Sequence, residues 1–256
     1  MKVQILMSTC NKKSIQDLHL NEKNIKNCII INQFAKKYEE EKHNGYTMYS
    51  YAEKGLSRSR NRLIEKATTD IGIITDDDVT FVKDYDQIIE YAYKEHPDAD
   101  IITFNVKMGD KIIGSSNYKK HNRISIMSVS SIQISFRLDS IRNKNIKFDE
   151  KFGLGSIYKA GEENIFLNDC LKNGLKIIHI PIVINEHPDV ATTGEKWDEN
   201  LVKAKGAFSY RVLKHFYILF LIYFTFFKYK NYKDSLSIIK FIRVYYQGLK
   251  EFKETI

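Results

Sequence analysis

Short apolar runs alternate with amphipathic stretches over the first 200 residues, and this alternation constrains the fold more than any other feature. Apolar runs of about four to eight residues are typical of buried strands, while apolar residues at helical spacing indicate helices between them. Strands are predicted at residues 3–9, 28–32, 46–51, 71–75, 100–106, 132–136 and 175–180, and helices at 56–67, 84–94 and 161–172. This order predicts an α/β domain with a mixed, mostly parallel sheet flanked by helices.

The charge of the chain is unevenly distributed. The 256 residues have a net charge of +8, yet residues 1–200 hold 29 basic and 29 acidic side chains, whereas residues 201–256 hold 11 and 3. The same final segment carries 15 of the 32 aromatic side chains. We therefore predict one domain at residues 1–200 and a basic, aromatic, helical tail at residues 201–256.

The charge distribution also limits the class of partner. Because the body is neutral and has no recognisable nucleic-acid-binding motif, we expect no nucleic-acid partner. The basic tail keeps one alternative open, a nucleic-acid-binding protein that uses only this segment.

Within the tail, a run of thirteen mostly apolar residues, 215–227, lies between Lys214 and Lys228. A membrane-spanning helix needs about 20 apolar residues, so the run predicts a helix that lies on a membrane and does not cross it. Flanking lysines and tyrosines favour an anionic membrane surface, contacted through residues 210–233. A C-terminal helix that packs on the body is the alternative.

The cysteines and the N-terminus indicate the compartment. Cys10, Cys28 and Cys170 lie far apart without metal-ligand spacing, which argues against a disulfide framework or a zinc site. The apolar run at residues 3–7 is too short for the core of a signal peptide. We therefore expect a cytoplasmic protein that is peripheral on the inner face of the cell membrane.

Three adjacent carboxylates give the strongest chemical signal. Asp76, Asp77 and Asp78 follow the apolar strand at residues 71–75, at the edge where an open α/β sheet binds ligands. Adjacent carboxylates repel one another unless a cation lies among them, and Mg²⁺ or Mn²⁺ prefers oxygen ligands. The run predicts a metal or nucleotide site, and an Asp-rich loop that caps the next helix is the alternative.

A predicted helix begins just upstream, at the sequence GLSRSRNR of residues 55–62. Ser57 is a plausible N-cap for this helix. On a helical wheel Arg60 falls on the apolar face, whereas Arg58 and Arg62 point to the other side. An inward-facing arginine at a helix N-terminus is suited to bind a phosphate or a nucleotide base.

A second acidic pair opens the helix predicted at residues 161–172. Helical spacing puts Glu163 on the apolar face and Glu162 at its edge. A carboxylate at the margin of an apolar wall gains basicity by desolvation, which suits a general base. The alternative is an acid that only complements the helix dipole.

Together these motifs resemble the inverting family-2 glycosyltransferases with a GT-A (Rossmann-like) fold. The resemblance rests on Ser8-Thr9-x-Asn11, the arginine-rich segment 55–62, the aspartates 76–78, the GEEN sequence at 161–164 and the downstream His187. It covers residues 1 to about 200. It implies transfer of a sugar from a nucleotide sugar, expected to be a UDP-sugar, with Mn²⁺ or Mg²⁺ as cofactor.

The resemblance also assigns roles to residues. The candidate nucleotide-sugar site contains Thr9, Asn11, Gln33, Arg60, Asn61, Asp76 and Asp77, and the metal ligands are Asp78, Asp76 and His187. Glu163 stands where the family usually has an aspartate as the base. Its extra methylene moves the carboxylate by about one carbon-carbon bond, so Glu162 is a possible substitute.

By the same resemblance, the acceptor is expected to be a saccharide, linked to a lipid, in the assembly of bacterial surface polysaccharides. The loop at residues 189–197 is predicted to be a lid, and its Trp197 could stack on an acceptor sugar, with an indole packed into the body as an equal alternative. A nucleotide-sugar-binding protein without turnover is the other interpretation, because Glu163 departs from the family pattern.

Overall fold

The computed structural model describes residues 1–188 and 197–255 and contains one large sheet. Its strands are β1 (Val3–Cys10), β2 (Cys28–Gln33), β3 (Glu39–His43), β4 (Tyr46–Ser50), β5 (Ile71–Asp76), β6 (Thr80–Phe81), β7 (Ile101–Met108), β8 (Lys111–Ile113), β9 (Lys119–Lys120), β10 (Ile134–Arg137) and β11 (Ile177–His187). The α-helices are α1 (Leu56–Lys66), α2 (Tyr85–Glu95), α3 (Leu138–Asn143), α4 (Glu162–Lys172), α5 (Glu199–Leu213), α6 (Tyr217–Ile222), α7 (Tyr229–Tyr232) and α8 (Ile238–Lys253). The predicted fold class is confirmed.

The sheet has the order β3-β4-β2-β1-β5-β10-β7-β11-β6, with β8 paired to β7 and β9 to β11. Strands β4, β2, β1 and β5 form one parallel block, and β7 and β11 form another. Strand β10 is antiparallel to both β5 and β7. The two blocks therefore run in the same direction, and their carboxyl ends meet at one edge of the sheet.

The predicted strands all correspond to strands of the sheet, but four short ones were not predicted. Strand β3 has the sequence EEEKH and lies at the edge of the sheet, where charged residues are tolerated and no apolar pattern is needed. Strands β6, β8 and β9 have two or three residues. The strand expected from residue 132 begins at Ile134, because Ser131–Gln133 forms a 3₁₀ turn.

Alternating residues of the central strands supply two hydrophobic cores, one on each face of the sheet. In β1, Ile5 and Met7 belong to one core and Leu6 to the other. Helix α2 covers the first face through Ile89, and helix α1 covers the second through Leu63. Because both faces of the sheet are buried, the sequences of these strands are continuous apolar runs.

The tail folds back as a helical pair and contacts the body. Helices α5 and α8 approach closely at two glycines: a Cβ on Gly206 would lie 1.9 Å from the carbonyl oxygen of Tyr245, and one on Gly248 2.0 Å from that of Lys203. Arg211 of α5 is ion-paired with Asp149 and Asp169 of the body. The division at residue 200 stays a prediction, since the tail and body share a hydrophobic cluster.

One helical stretch, Glu199–Phe227, is long and apolar enough to cross a membrane when length and composition alone are considered, with a mean hydropathy of 1.2. The stretch is not a regular helix throughout, because Lys214 has a φ of 48° after the end of α5. Before this residue Val202, Ala207 and Val212 are buried in the protein. After it Phe216, Leu219, Phe226 and Phe227 are 58–77% exposed.

Candidate active site

The predicted polar residues meet at the carboxyl edge of the sheet. Ser8 pairs with Asp76 across β1 and β5, and Cys10 pairs with Gln33 across β1 and β2. Strand β11 ends at His187, beside the end of β7. Parallel pairing therefore gathers residues that are far apart in the chain.

Arg60 connects two acidic groups at this edge. Its guanidinium is 1% exposed, and its Nη1 donates to Glu162 Oε1 at 2.9 Å. Its Nη2 lies 3.5 Å from Asp76 Oδ1, and its Cζ lies 5.6 Å from the ring centroid of Phe148. Within the described residues Arg60 Nε has no hydrogen-bond partner.

The inward orientation predicted for Arg60 is confirmed, but its partners are protein carboxylates. A buried arginine needs opposite charge nearby, and Glu162 and Asp76 supply it. Arg60 therefore fixes two side chains of the site relative to each other. The expected N-cap is wrong: Gly55 occupies that position, and the Ser57 hydroxyl donates to the carbonyl oxygen of Phe152 at 2.7 Å.

A cavity of about 260 Å³ opens beside this cluster. Its walls include Leu56, Arg60, Asp76, Ser130, Ser131, Lys159, Glu162, Glu163 and His187. Carboxylates, two cationic side chains and an imidazole thus surround one space large enough for part of a small polar substrate.

The pKa of Glu163 is strongly perturbed. Burial, reinforced by the charge of Glu162, raises the pKa of the Glu163 carboxyl to about 8, against the opposing effect of Arg60. Such a group can accept a proton near neutral pH. The expected order of burial is reversed, because Glu162 is buried and Glu163 is half-buried. The ion pair with Arg60 draws Glu162 inward.

Asp76 is also perturbed. Burial by the cavity walls raises the pKa of its carboxyl, Arg60 opposes this shift and Asp78 adds to it, although 37% of the side chain is open to solvent. Asp76, one of the three predicted metal ligands, is thus directed at Arg60. Among residues 1–188 and 197–255, no group of three or more His, Cys, Asp or Glu side chains is arranged to hold a metal ion.

The other two predicted ligands lie together. Asp78 Oδ2 is 3.3 Å from His187 Nε2. His187 Nδ1 lies 2.6 Å from the carbonyl oxygen of Pro188, to which it can donate only if it carries hydrogen. The Nε2 of a neutral ring would then present a lone pair to the carboxylate. Two electron-rich atoms at this distance need a proton or a cation between them.

Asp77 turns toward the end of β1. The Thr9 hydroxyl donates to Asp77 Oδ2 at 2.6 Å, and Lys12 Nζ lies 3.1 Å from the same oxygen. Gln33 Oε1 accepts from the backbone N–H of Gly55 at 2.7 Å. Asn11 is exposed and has a φ of 56°. The nucleotide-binding roles of Thr9, Asn11, Gln33 and Asp77 stay predictions.

Two predicted site residues have structural roles here. Asn61 donates to the carbonyl oxygen of Phe148 at 3.0 Å and accepts from its N–H at 2.8 Å, so the backbone engages its amide. Its nucleotide-binding role stays a prediction. Trp197 is 5% exposed, and its ring lies beside the stacked pair of Tyr232 and Phe241, at centroid distances of 6.4 and 6.3 Å. The indole is therefore packed, but these aromatic neighbours belong to the tail and not to the body. Residues 189–196 of the predicted lid lie outside the described residues.

Sequence reasoning missed Lys205 of the tail. Its ammonium lies 5.6 Å from the ring centroids of both Trp197 and Phe224. Burial lowers the pKa of Lys205, and the charge of Glu163 opposes this shift, so the two groups interact. The available signal was a lysine flanked by the small residues Ala204 and Gly206, both of which are buried.

No protein-family model and no curated protein sequence matches the chain, whereas solved structures do. Structures of the S. aureus glycosyltransferase TarS are among them. TarS 1-349 in complex with UDP-GlcNAc matches with a TM-score of 0.68 and 14% identity, over 98% of this chain and 80% of that one. A second TarS 1-349 structure has a TM-score of 0.59 and 13% identity, over 84% and 66%.

A longer TarS structure matches with a TM-score of 0.61 and 15% identity, over 88% of this chain. This chain spans 44% of the length of that structure. At such identities the likeness establishes the fold alone, which is the fold of TarS.

Proposed function

We propose that this protein is an inverting family-2 glycosyltransferase with a GT-A fold, which transfers a sugar from a UDP-sugar to a lipid-linked saccharide in polysaccharide biosynthesis. The observation that carries the proposal is Glu163, a half-buried carboxyl of raised pKa beside a cavity whose walls include Asp76 and His187. A base and candidate metal ligands around one cavity match a transfer between an acceptor hydroxyl and a nucleotide sugar.

The donor assignment rests on the fold and on the residues at the sheet edge. The TarS structure of the same fold binds UDP-GlcNAc. In this chain Asp76, Asp77 and Asp78 stand at the carboxyl end of β5, where ligands of open α/β sheets bind. We therefore propose that the nucleoside diphosphate lies along this edge, with Thr9 and Gln33 beside the nucleoside.

A divalent cation fits beside the diphosphate. Asp78 and His187 offer an oxygen and a nitrogen 3.3 Å apart, and magnesium sites commonly combine one or two protein carboxylates with substrate phosphates. When bound, Mg²⁺ or Mn²⁺ would neutralise charge on the leaving diphosphate. Asp76, directed at Arg60, is the weaker candidate ligand.

The residues of the chain account for the remaining chemistry. Glu163 takes the proton of the acceptor hydroxyl, whose oxygen attacks the anomeric carbon while the bond to the nucleoside diphosphate breaks. A single displacement of this kind inverts the configuration at that carbon. Glu162 is the poorer candidate, because its carboxylate is already engaged by Arg60 Nη1 at 2.9 Å.

The tail supplies the membrane contact in this proposal. Four of its apolar side chains, Phe216, Leu219, Phe226 and Phe227, are 58–77% exposed. Lys228, Lys230 and Lys233 follow, so apolar and basic residues occur side by side, as expected of a segment that lies in an anionic membrane surface. The protein would then act in the cytoplasm, on the inner face of the cell membrane.

Release of UDP from a panel of UDP-sugars, with lipid-linked saccharide acceptors and Mg²⁺ or Mn²⁺, tests the proposal. We expect acceptor-dependent release that Asp78→Ala lowers at least about a hundredfold. Asp139→Ala, on the exposed side of α3, is the matched control and should retain the wild-type rate. Binding of UDP without release from any donor would instead support a nucleotide-sugar-binding protein.

A further inference from the structure

Two lysine ammonium groups of the tail lie over neighbouring aromatic rings. Lys205 Nζ is 5.6 Å from the ring centroid of Phe224. Lys228 Nζ is 5.7 Å from that of Tyr223, and the Tyr223 and Phe224 rings are 5.4 Å apart. The two cations therefore share one aromatic wall.

Helix packing directs Lys205 toward the start of α4. Phe208, three residues further along α5, fills the space beside Gly161, where an added Cβ would lie 2.8 Å from its ring. Residues three apart share a helix face, so Lys205 faces the same end of α4. Burial lowers the pKa of the Lys205 ammonium and Glu163 opposes that shift, which requires the two groups to be near each other.

Lys205 is not among the residues that line the cavity containing Asp76 and His187, the residues assigned to the donor. Its charge nevertheless acts on Glu163. Because the base contacts the acceptor by definition, a cation that acts on Glu163 from outside the donor cavity can contact the acceptor.

The two lysines form a concentration of positive charge. Lys228 adds to the lowering of the pKa of Lys205 that burial causes, because like charges repel. Lys203, two residues earlier, is ion-paired with Glu251 at 2.6 Å, whereas within residues 1–188 and 197–255 neither Lys205 nor Lys228 has a carboxylate partner. An anion with several oxygens, such as a phosphate, can accept hydrogen bonds from both ammonium groups.

The surface next to Lys228 is apolar and open. Phe226 and Phe227, directly before it, are 67% and 77% exposed, and Leu219 is 58% exposed. From Glu163 outward, the molecule thus offers a base, then two cations, then an exposed apolar face. A lipid-linked saccharide has the matching order of a saccharide, a phosphate and a hydrocarbon chain.

We propose that Lys205 and Lys228 bind the phosphate that joins the acceptor saccharide to its lipid. This rests on the proposed function, because it names the acceptor class of the same site. The two lysines bind and orient the acceptor, and Phe226 and Phe227 contact the first part of its hydrocarbon chain.

Calorimetric titration of the full chain with decyl phosphate, below its micelle concentration, tests the site without a known acceptor. We expect decyl phosphate to bind about tenfold or more tighter than decyl maltoside, which has the same chain but no charge, and tighter than inorganic phosphate. Lys205→Met and Lys228→Met should each weaken binding of decyl phosphate about tenfold. Lys205→Arg should retain it.

Lys203→Met is the matched control, since it removes a lysine of the same helix outside the proposed site, and it should bind as the wild type does. Thermal unfolding of each variant excludes a general loss of structure as the cause. Wild-type affinity in both Lys205→Met and Lys228→Met would overturn the proposal. Equal binding of decyl maltoside would overturn the phosphate site, and equal binding of inorganic phosphate would overturn the lipid-linked assignment.

The same variants separate this proposal from the proposed function. UDP binding involves the sheet edge, so Lys205→Met should bind UDP as the wild type does. If decyl phosphate binding fails the test while UDP is bound and donors are turned over, only the lysine site is wrong. If donors are not turned over, the transferase proposal fails even where the lysines bind decyl phosphate.

Discussion

The cavity and the tail both contain dense charge, but they use it in opposite ways. In the cavity, Arg60 is 1% exposed and is tied to Glu162 and Asp76, so its charge is neutralised inside the protein. In the tail, Lys230 and Lys233 are exposed beside exposed aromatic side chains. Buried charge of the first kind fixes geometry, whereas exposed charge of the second kind remains available to another molecule.

The largest expected effect is on the chemical step in the cavity. Glu163→Gln removes the proposed base with almost no change in size, and we expect the rate of sugar transfer to fall about 10²–10⁴-fold. Glu65→Gln, an exposed residue of α1, should leave the rate unchanged. Steady-state UDP release at saturating donor measures both. A decrease of less than about threefold in Glu163→Gln would mean that another group takes the proton.

The next largest effect is on stability. Arg60→Met leaves Glu162 buried without its counter-charge, and removal of one partner of a buried ion pair costs about 3–5 kcal/mol of unfolding free energy. The same substitution at Lys230 in the tail should change it by less than about 0.5 kcal/mol. Urea unfolding followed by circular dichroism compares the two. Equal losses would show that the contrast between buried and exposed charge is mistaken.

A buried histidine extends the contrast to pH. Burial lowers the pKa of His121 to about 4, and its Nε2 lies 2.9 Å from the Thr103 hydroxyl. In the unfolded chain His121 binds a proton near pH 6.5, whereas in the folded protein it does so only near pH 4. Protonation therefore favours the unfolded chain, and the stability that the neutral His121 contributes above pH 6.5 is lost as the pH falls from 6.5 to 4. The loss is up to about 3 kcal/mol.

Unfolding measured at several pH values checks this expectation. His121→Gln should flatten the dependence between pH 6.5 and 4, while His215→Gln, on the exposed tail, should leave it as in the wild type. An unchanged slope in His121→Gln would assign the acid sensitivity to other groups.

The smallest effect is expected at the exposed surface of the tail. Phe226→Ser with Phe227→Ser removes two apolar side chains that are 67% and 77% exposed, and should weaken flotation with anionic liposomes about tenfold or more. Tyr91→Ser, which changes a 64% exposed side chain of the body, serves as the control and should float as the wild type does. Equal flotation of the double variant would remove the membrane role of this surface.

The sequence predicted what depends on local pattern. Continuous apolar runs marked the central strands, and the helical wheel turned Arg60 inward, because strand burial and helix face follow from neighbouring residues. Strand β3, with three glutamates, carried no such pattern, because an edge strand needs no buried face.

Contacts between distant residues were beyond prediction. Glu162 is 102 positions from Arg60, and only the fold brings them to 2.9 Å. The packing of Trp197 could not be predicted either, because its aromatic neighbours lie in the tail. Lys205 was not considered as a site residue, because the tail was predicted to be separate from the body. The uneven distribution of charge along the sequence predicted where the tail begins, but it could not predict which residues of the tail contact the site.

The dependence of kcat/KM for sugar transfer on pH tests the central claim most directly. Because burial raises the pKa of Glu163 to about 8 and the base must be ionised, the wild-type value should rise with pH through this region and level off above it. Glu163→Gln should show no such rise. A wild-type profile that is flat between about pH 6 and 9, or an identical rise in Glu163→Gln, would contradict the assignment of Glu163 as the base.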